Sequence, residues 1–362
     1  MTTTASTHTT SHPRRWPRAL AAGVAAAAIT AAAALSPAAP DAAARRGPTG
    51  EAGPEARDFA TAYARSLAHP GMMPPDVNDW SCVPSPEHPR PVVLIHGTWD
   101  NAYATWSMLT PMLKKAGYCA YAFNYGDDES GLVGLPPGVY GTQTLTESGD
   151  EVAGFVDEVL ERTGASQVDL VGHSQGGIQA RLYVQDHGGA NPADPSRNRV
   201  KNVVGLGANN HGTTFAGLAA MGGMLQDFGL PVMDAARLPL GDGGVDQGIG
   251  SPFFEELNRD GETRLGIDYT MIATRYDWNV APYRGQFLEE EPGSSVNNIT
   301  LQDGCASDKS EHLSMTFSPR VLDLVMEALD DGDYRSAHPD VCVPVAPFTG
   351  ALPGAGPAPD SA

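Results

Sequence analysis

The sequence contains few basic residues and few cysteines. Its 362 residues include 23 Lys and Arg against 43 Asp and Glu, and only four cysteines. This negative charge repels phosphate backbones and anionic lipid, which counts against binding to nucleic acid or to an anionic membrane surface. No C-x-x-C pair is present for zinc, and no spacing of carboxylates indicates another ion, so we predict no metal site.

Long apolar runs are absent after residue 44. Before that point, three arginines within residues 14–18 precede an Ala-rich run at 19–35, and small residues follow as far as Ala44. This order is typical of a secretory signal peptide, so we assign residues 1–44 to one and expect a secreted, extracellular protein. The run is weakly apolar and shorter than the roughly 20 residues that span a bilayer, so no stable membrane anchor is expected.

The four cysteines are an even number in a chain that we expect to be exported. Such cysteines usually pair, so two disulfides are expected, and the residues themselves leave three possible connectivities. The cysteines are Cys82, Cys119, Cys305 and Cys342. They all lie within a predicted domain at 81–342, which follows an N-terminal arm at 45–80. A Pro/Ala/Gly-rich tail at 343–362 is expected to be flexible.

Strand and helix patterns alternate along residues 81–342. Apolar runs such as "PVVLIHG" and "QVDLVG" are typical of buried parallel strands, whereas "ESGDEVAGFVDEVLERTG" and "YATWSMLTPMLKKAG" space their apolar residues as helices do. The alternation predicts an α/β fold with a mostly parallel, doubly wound sheet covered by helices on both faces. Residues 213–265 interrupt the alternation and are interpreted as a cap or lid insertion, either mobile or rigid.

Ser174 lies where a predicted strand meets a predicted helix. Its surroundings, "GHSQG", match the G-x-S-x-G pattern of a nucleophile elbow. In such an elbow the turn is too tight for side chains at the flanking glycines, and the serine hydroxyl points out from the edge of the sheet. The strand before the motif and the helix after it therefore predict that Ser174 is a nucleophile.

A serine nucleophile needs a histidine base and a carboxylate, which follow it along the chain in the order serine, acid, histidine. The histidines after Ser174 are His187, His211, His312 and His338. His312 lies in the loop before the closing helix, where the base belongs. Asp277 follows the strand "DYTMIAT" and is the predicted acid. Asp303 and Asp308 are rivals, although both belong to the loop of the histidine itself.

The tetrahedral oxyanion that forms when such a serine attacks a carbonyl needs two backbone donors. The N–H of Gln175, at the start of the helix after the nucleophile, is one candidate, and the N–H of Thr98 in the loop after the first strand is the other. Gly97 lets that loop approach closely. His96 is predicted to brace the same loop, and His173 is predicted to be a packing residue.

Five motifs carry a resemblance to a known family. They are "PVVLIHGTWDNAYATW", "GYCAYAFNYG", "GHSQGG", "NNHGTT" and "TRYDWNVAPY", in that order. From about Trp80 to Cys342 the chain resembles the bacterial class 2 lipases of the α/β-hydrolase superfamily, the secreted actinobacterial triacylglycerol lipases and esterases. Trp278 and Asn279 depart from the family pattern, being bulkier or more polar than expected, which leaves the preferred acyl-chain length open.

The resemblance implies ester hydrolysis with no required cofactor. It implies two disulfides, Cys82 with Cys119 and Cys305 with Cys342. The roles that it implies agree with the assignments above, with Ser174, Asp277 and His312 as the catalytic triad and Thr98 and Gln175 as the oxyanion hole.

The predicted function is therefore hydrolysis of lipid esters through an acyl-enzyme, by a monomer acting on substrate at an oil–water interface. Two other enzymatic functions remain open: a short-chain or polyester esterase of the cutinase kind, and an acyltransferase that uses another alcohol in place of water. A non-catalytic binding protein with the same fold is disfavoured, because serine, acid and base are all present at compatible positions.

Overall fold

The computed structural model of the protein describes residues 49–128, 130–214, 232–330 and 340–351. Several of the sequence predictions fall outside these ranges. They are the signal peptide at 1–44, residues 215–231 of the insertion, His338 and the last part of the tail at 352–362.

Six parallel strands form the central sheet, in the order β2-β1-β3-β4-β5-β6. Their bounds are β1 Val92–Ile95, β2 Ala120–Ala122, β3 Val168–His173, β4 Val200–Leu206, β5 Asp268–Ala273 and β6 Ser295–Thr300. Every residue of β1 and β3 is buried, as expected for central strands covered on both faces. The predicted doubly wound α/β architecture is confirmed.

Helices cover both faces of this sheet. Their bounds are α1 Phe59–Ala68, α2 Ala102–Trp106, α3 Leu109–Lys115, α4 Gly131–Gly134, α5 Leu145–Thr163, α6 Gln175–Asp186, α7 Val232–Asp246, α8 Pro252–Leu257, α9 Leu301–Gly304 and α10 Pro319–Leu329. Within the part of the chain that the structure describes, none of them is both long and apolar enough to cross a membrane.

Alternation along the strands divides the hydrophobic core between the two faces. In β1, Val93 and Ile95 pack on the side of α5 and α6, whereas Val92 and Leu94 pack on the side of α2, α3 and α10. Successive strand residues point to opposite faces, so one short strand contributes to both halves of the core. Burial of each such side chain contributes roughly 1.5–3 kcal/mol, which makes β1 a rigid base for the loop that follows it.

The run "YATWSMLTPMLKKAG" was predicted to form one helix, and this prediction is wrong. It forms α2 and α3 with a break at Ser107 and Met108. The physical reason is Pro111, which has no N–H to donate and whose ring would clash with the carbonyl of Ser107 in a continuous helix. Pro111 is tolerated where it lies, in the first turn of α3.

The first part of the predicted tail has a defined structure. Val345–Ala346 pairs antiparallel with Gly350–Ala351, and the N–H of Lys309 donates to the carbonyl of Val345 at 2.9 Å. These contacts belong to residues 343–351, the first part of the tail, and residues 352–362 lie outside the described ranges. Composition alone gave no sign of these contacts, because they depend on the position of a distant loop.

Both disulfides are present, and their pairing confirms the expectation drawn from the family resemblance. Cys82 pairs with Cys119, which ties the segment before β1 to the start of β2. Cys305 pairs with Cys342, which ties the loop before His312 to the C-terminal segment. Closing a loop in this way reduces the entropy of the unfolded chain and typically contributes about 2–4 kcal/mol to stability.

Candidate active site

Ser174 lies on a sharp turn between β3 and α6. Its backbone has φ 53° and ψ −121°, a conformation that residues other than glycine rarely adopt. Glycine is required on both sides of it. A Cβ on Gly176 would lie 2.1 Å from the carbonyl oxygen of Ile95, and one on Gly172 would lie 2.3 Å from backbone atoms of Gly176. Packing of the elbow against β1 therefore holds the serine in its strained conformation.

His312 lies between Ser174 and Asp277. Its Nε2 is 2.9 Å from Oγ of Ser174, and its Nδ1 is 2.8 Å from Oδ2 of Asp277. Because an ionised carboxylate can only accept, Nδ1 carries the proton, and Nε2 is left to accept the hydroxyl proton of Ser174. The structure thus brings together three residues from a stretch in which the first and last are 138 positions apart, in the geometry that removes a proton from serine.

The carboxylate of Asp277 is held by three further donors. Its Oδ1 accepts the N–H groups of Asn279 and Val280 at 2.9 and 2.8 Å, and its Oδ2 accepts Nε2 of Gln286 at 2.8 Å. Asp277 and His312 are both buried. These bonds orient Oδ2 towards the imidazole.

The other candidates lie elsewhere. Asp303 is exposed and forms an ion pair with Arg275. Asp308 is buried, and its carboxylate accepts hydrogen bonds from Ser310 and Ser318. His187 follows the end of α6, while His211 bonds to Glu262 and to the carbonyl of Gly285. None of these four side chains takes the place of His312 or Asp277 beside the serine.

The histidine is tuned by its charged neighbours. Burial lowers the pKa of His312, but the Asp277 carboxylate, the hydrogen bond to it and the charges of Glu311 and Asp100 together leave that pKa above its ordinary value. A base with a raised pKa takes a proton more readily from serine, and it becomes inactive when pH falls through that pKa.

Two other histidines are buried near the serine, and burial keeps both of them neutral. It lowers the pKa of His96 to about 4 and that of His173 to about 3, where His312 also contributes. His96 bonds through Nδ1 to the carbonyl of Gly97 at 2.8 Å, and its Nε2 lies 3.3 Å from the N–H of Tyr125. Nε2 of His173 bonds to the carbonyl of His312 at 2.8 Å. Both rings therefore brace loops of the site.

Thr98 and Gln175 lie next to each other beside the serine. Oγ1 of Thr98 donates to Oε1 of Gln175 at 3.0 Å, and a Cβ on Gly97 would lie 3.1 Å from Cβ of Ser174. Gln175 is the first residue of α6, so its N–H belongs to the unpaired, positive end of the helix. Among the described residues, neither the Thr98 N–H nor the Gln175 N–H donates a hydrogen bond, so both amides are available to an oxyanion.

Glu311 is a residue of the site that the sequence did not reveal. Its buried carboxylate accepts four hydrogen bonds, from the N–H groups of Leu313, Ser314 and Phe348 and from Nε1 of Trp278. It therefore connects the loop of the histidine with the loop of the acid and with the C-terminal hairpin. The hydrogen bond from Nε1 of Trp278 to Glu311 links the loops of the acid and the histidine. Trp278 is one of the two residues that depart from the family pattern.

Replacing Glu311 with glutamine is expected to move the acidic limb of the activity profile to lower pH. The substitution removes a negative charge that raises the pKa of His312, so the base stays neutral to a lower pH. The measurement is kcat/KM for a p-nitrophenyl ester from about pH 4 to 9. Glu256→Gln, which removes a surface carboxylate paired with Arg259, is the matched control. An unchanged acidic limb in folded Glu311→Gln would contradict the expectation.

The described ranges contain no group of three or more His, Cys, Asp or Glu residues placed to hold a metal ion. Outside the site, His211 and Glu262 form a hydrogen-bonded pair, with 2.6 Å between Nε2 and Oε1. Glu262 also accepts the N–H of Glu289 at 2.7 Å. The donors around Ser174 are imidazoles, amides and hydroxyls that bond to one another, so the site is built for acid–base chemistry.

A parallel sheet with a serine elbow after its third strand, and acid and histidine on later loops, is the architecture of the α/β-hydrolase superfamily. Aspergillus fumigatus lipase B has a similar fold, with a TM-score of 0.53 and 17% identity over 73% of this chain and 57% of that one. The family model "Lipase (class 2)" matches residues 89–321, and the chain belongs to this family.

Two curated relatives are similar in sequence over a shorter stretch. The triacylglycerol lipases of Pseudarthrobacter phenanthrenivorans and Burkholderia plantarii are each 30% identical over 131 residues, or 35% of this chain. That stretch is 35% of the first relative and 31% of the second, so the match spans about a third of their length. The family resemblance seen in the sequence is confirmed.

Proposed function

We propose that the protein hydrolyses carboxylic esters of lipids, with Ser174 as the nucleophile. The observation that carries this proposal is the buried chain of hydrogen bonds from Oγ of Ser174 through His312 to Asp277, at 2.9 and 2.8 Å. Membership of the class 2 lipases and the similarity to two proteins named triacylglycerol lipase support the substrate class.

The reaction proceeds by acyl transfer to serine and then to water. Oγ of Ser174 forms a bond to the ester carbonyl carbon while Nε2 of His312 takes the hydroxyl proton. The carbonyl oxygen becomes an oxyanion between the Thr98 and Gln175 N–H groups. When the ester bond breaks, the leaving alkoxide takes the proton from His312. Water then attacks the acyl carbon while His312 takes one of its protons. The bond between that carbon and Oγ of Ser174 breaks, Oγ recovers the proton from His312, and the carboxylic acid leaves.

The preorganised donors supply a large part of the expected rate enhancement. Removing one oxyanion donor from a serine hydrolase typically costs about 10²–10³ in kcat. The amides of Thr98 and Gln175 lie on a rigid base, because one follows β1 and the other begins α6. Asp277 stabilises the imidazolium that forms during attack, and it holds the ring in the tautomer that leaves Nε2 free.

An apolar surface near the loop that carries Thr98 supports a lipid substrate. Leu132, Leu135 and Leu238 are 57%, 54% and 68% exposed, and they line a groove of about 390 Å³ between α4 and α7. Exposed leucines grouped in this way are typical of a surface that meets another apolar phase. We assign this face, which α4 and the 213–265 insertion form together, to contact with the oil–water interface.

The 81–342 region is proposed as the catalytic domain of an exported monomer. Its two disulfides support an oxidising, extracellular setting, and the pattern at 1–44 supports cleavage of a signal peptide. The described part of the arm, residues 49–80, packs on the domain beside the oxyanion loop, where Tyr63 donates its hydroxyl to the carbonyl of Trp99 at 3.0 Å. We therefore propose that the arm supports this loop.

A series of p-nitrophenyl esters from acetate to palmitate, followed by a triolein emulsion, tests the proposed substrate class. The protein is expected to hydrolyse the long-chain esters and to release oleate from triolein, with an increase in rate above the solubility limit of the ester. Turnover restricted to soluble short-chain esters would indicate a short-chain esterase. Acyl transfer to an added alcohol faster than hydrolysis would indicate an acyltransferase, and absence of turnover on every ester would contradict the proposal.

A further inference from the structure

Gln247 connects the insertion to the oxyanion loop. It follows α7 directly and is 3% exposed. Its Nε2 donates to Oγ1 of Thr98 at 2.7 Å and to the carbonyl of Gly243 at 2.9 Å. The amide is buried, so breaking its hydrogen bond to Thr98 would leave a polar group without a partner and cost the desolvation free energy of that group. The contact between the two segments is therefore specific.

The backbone of Gln247 is held as firmly as its side chain. Its carbonyl accepts the N–H of Thr213 at 2.8 Å and Nδ2 of Asn209 at 3.2 Å. The N–H of Ile249 then donates to the carbonyl of Thr213 at 3.2 Å. Thr213 is the first residue of the insertion, so these bonds join the start of the insertion to the segment that follows α7. They hold Gln247 in a fixed position next to Thr98.

The hydroxyl of Thr98 donates one hydrogen bond and accepts another within this chain of contacts. The Gln247 amide nitrogen can only donate, so Oγ1 of Thr98 accepts from it, and the single hydroxyl proton goes to Oε1 of Gln175 at 3.0 Å. Hydrogen bonds therefore run from the insertion through one proposed oxyanion residue to the other. They hold the two residues whose N–H groups must converge on one oxygen atom.

A second contact from the same segment reaches the same loop. Nε1 of Trp99 donates to the carbonyl of Leu240 at 3.1 Å, next to the kink of α7 at Gly241. The loop thus bonds to the insertion through two successive residues. Trp99 has a positive φ of 54°, so it occupies a backbone conformation that needs such support.

We propose that Gln247 is a positioning residue for the oxyanion hole, acting through the hydroxyl of Thr98. The inference rests on the proposed ester hydrolysis. It adds a function for the insertion, whose residue Gln247 helps to hold the two oxyanion donors in place. Donors that converge before the reaction stabilise the oxyanion without reorganisation, so loosening them lowers kcat more than it changes KM.

A double-mutant cycle on Gln247 and Thr98 tests the inference. Thr98→Val keeps the backbone N–H and removes the hydroxyl, and Gln247→Leu removes the donor. Each variant is expected to lower kcat for p-nitrophenyl butyrate about tenfold, within the range for a disturbed oxyanion hole, with KM changing less than about twofold. The double variant is expected to be no slower than the slower single variant, because both changes break the same contact.

Three further variants separate positioning from general loosening. Asp246→Ala removes a carboxylate that accepts the N–H of Leu145 at 3.2 Å, so it weakens a different contact of the insertion and is expected to keep kcat. Thr98→Ser restores the hydroxyl that Thr98→Val lacks and is expected to recover most of the kcat that Thr98→Val loses, and a Thr98→Ser variant as slow as Thr98→Val would count against a role of the hydroxyl. If Gln247→Leu does not fold, Gln247→Glu replaces it with a side chain of the same size that lacks the donor.

The outcomes distinguish this inference from the proposed function. Losses that multiply in the double variant, an unchanged kcat in Gln247→Leu or Gln247→Glu, or an equal loss in Asp246→Ala would each overturn the positioning role. Those results can be read only if the protein without substitutions turns over the ester. An original protein that is folded but inactive on every ester would instead overturn the proposed function, and with it the basis of the inference.

Discussion

Replacing Ser174 with alanine is expected to lower kcat for p-nitrophenyl butyrate by at least about 10⁴-fold, which corresponds to about 5.5 kcal/mol of transition-state stabilisation. Alanine has no oxygen to attack the ester, so only background catalysis by the remaining groups persists. KM is expected to change little, because the hydroxyl makes its bond to substrate in the reaction itself. The measurement is the rate of nitrophenol release at saturating ester.

Ser251→Ala is the matched control for this substitution. Ser251 caps α8 by accepting the N–H of Phe253, so its loss is expected to cost about 1 kcal/mol of stability and to leave kcat unchanged. Melting temperatures of both variants separate folding from catalysis. Turnover of the Ser174→Ala variant at the original rate would show that another residue attacks the ester.

Replacing Asp277 with asparagine is expected to lower kcat by about 10⁴-fold. Oδ2 of Asp277 faces two donors, Nδ1 of His312 and Nε2 of Gln286. The NH₂ group of an asparagine at the Oδ2 position would face these donors and could not accept from them. Rotating the amide would instead turn its NH₂ group towards the N–H groups of Asn279 and Val280, which also need an acceptor. The imidazole would then take the tautomer with its proton on Nε2, which cannot accept a proton from serine.

The rivals for the acid provide the control for this experiment. Asp303→Asn removes an exposed charge beside Arg275 and is expected to keep kcat. Asp308→Asn disturbs bonds to Ser310 and Ser318 and is expected to lower the melting temperature more than kcat. A loss in Asp303→Asn or Asp308→Asn that matches the loss in Asp277→Asn would show that the acid had been misassigned.

The sheet and the position of the serine could be predicted because local patterns determine them. A buried parallel strand has a continuous apolar run, and an elbow needs glycine where a Cβ would overlap backbone, so "QVDLVG" and "GHSQG" carry their own structural signal. His312 and Asp277 could be selected by their order along the chain and by the loops that follow predicted strands. Those rules concern the fold class, and they hold without knowledge of side-chain contacts.

Glu311 and Gln247 could not be predicted because their partners are set by tertiary packing. Glu311 has the composition of an ordinary surface residue, yet four donors from three separate segments surround its carboxylate. Gln247 lies in an insertion whose sequence has no clear period, and its partner Thr98 is 149 positions away. Glutamine and glutamate have no spacing rule that marks such contacts, so only the folded arrangement reveals them.

The error in the helix prediction has a similar cause. Helical spacing of apolar residues favoured one helix across "YATWSMLTPMLKKAG", and the effect of Pro111 on the carbonyl of Ser107 outweighed it. The contacts of residues 343–351 could likewise not be predicted from the Pro, Ala and Gly content of the tail. The disulfide of Cys342 and the bond from the N–H of Phe348 to Glu311 hold its first part in place.

The central claim, that Oγ of Ser174 is the nucleophile of ester hydrolysis, is tested most directly by covalent labelling. The protein is incubated with a p-nitrophenyl alkylphosphonate, and the adduct is located by peptide mass spectrometry while residual activity is measured. We predict one adduct for each chain, on Ser174, formed in proportion to the loss of activity. Stoichiometric inactivation with the phosphonate on a different residue, or labelling of Ser174 without loss of activity, would contradict the account.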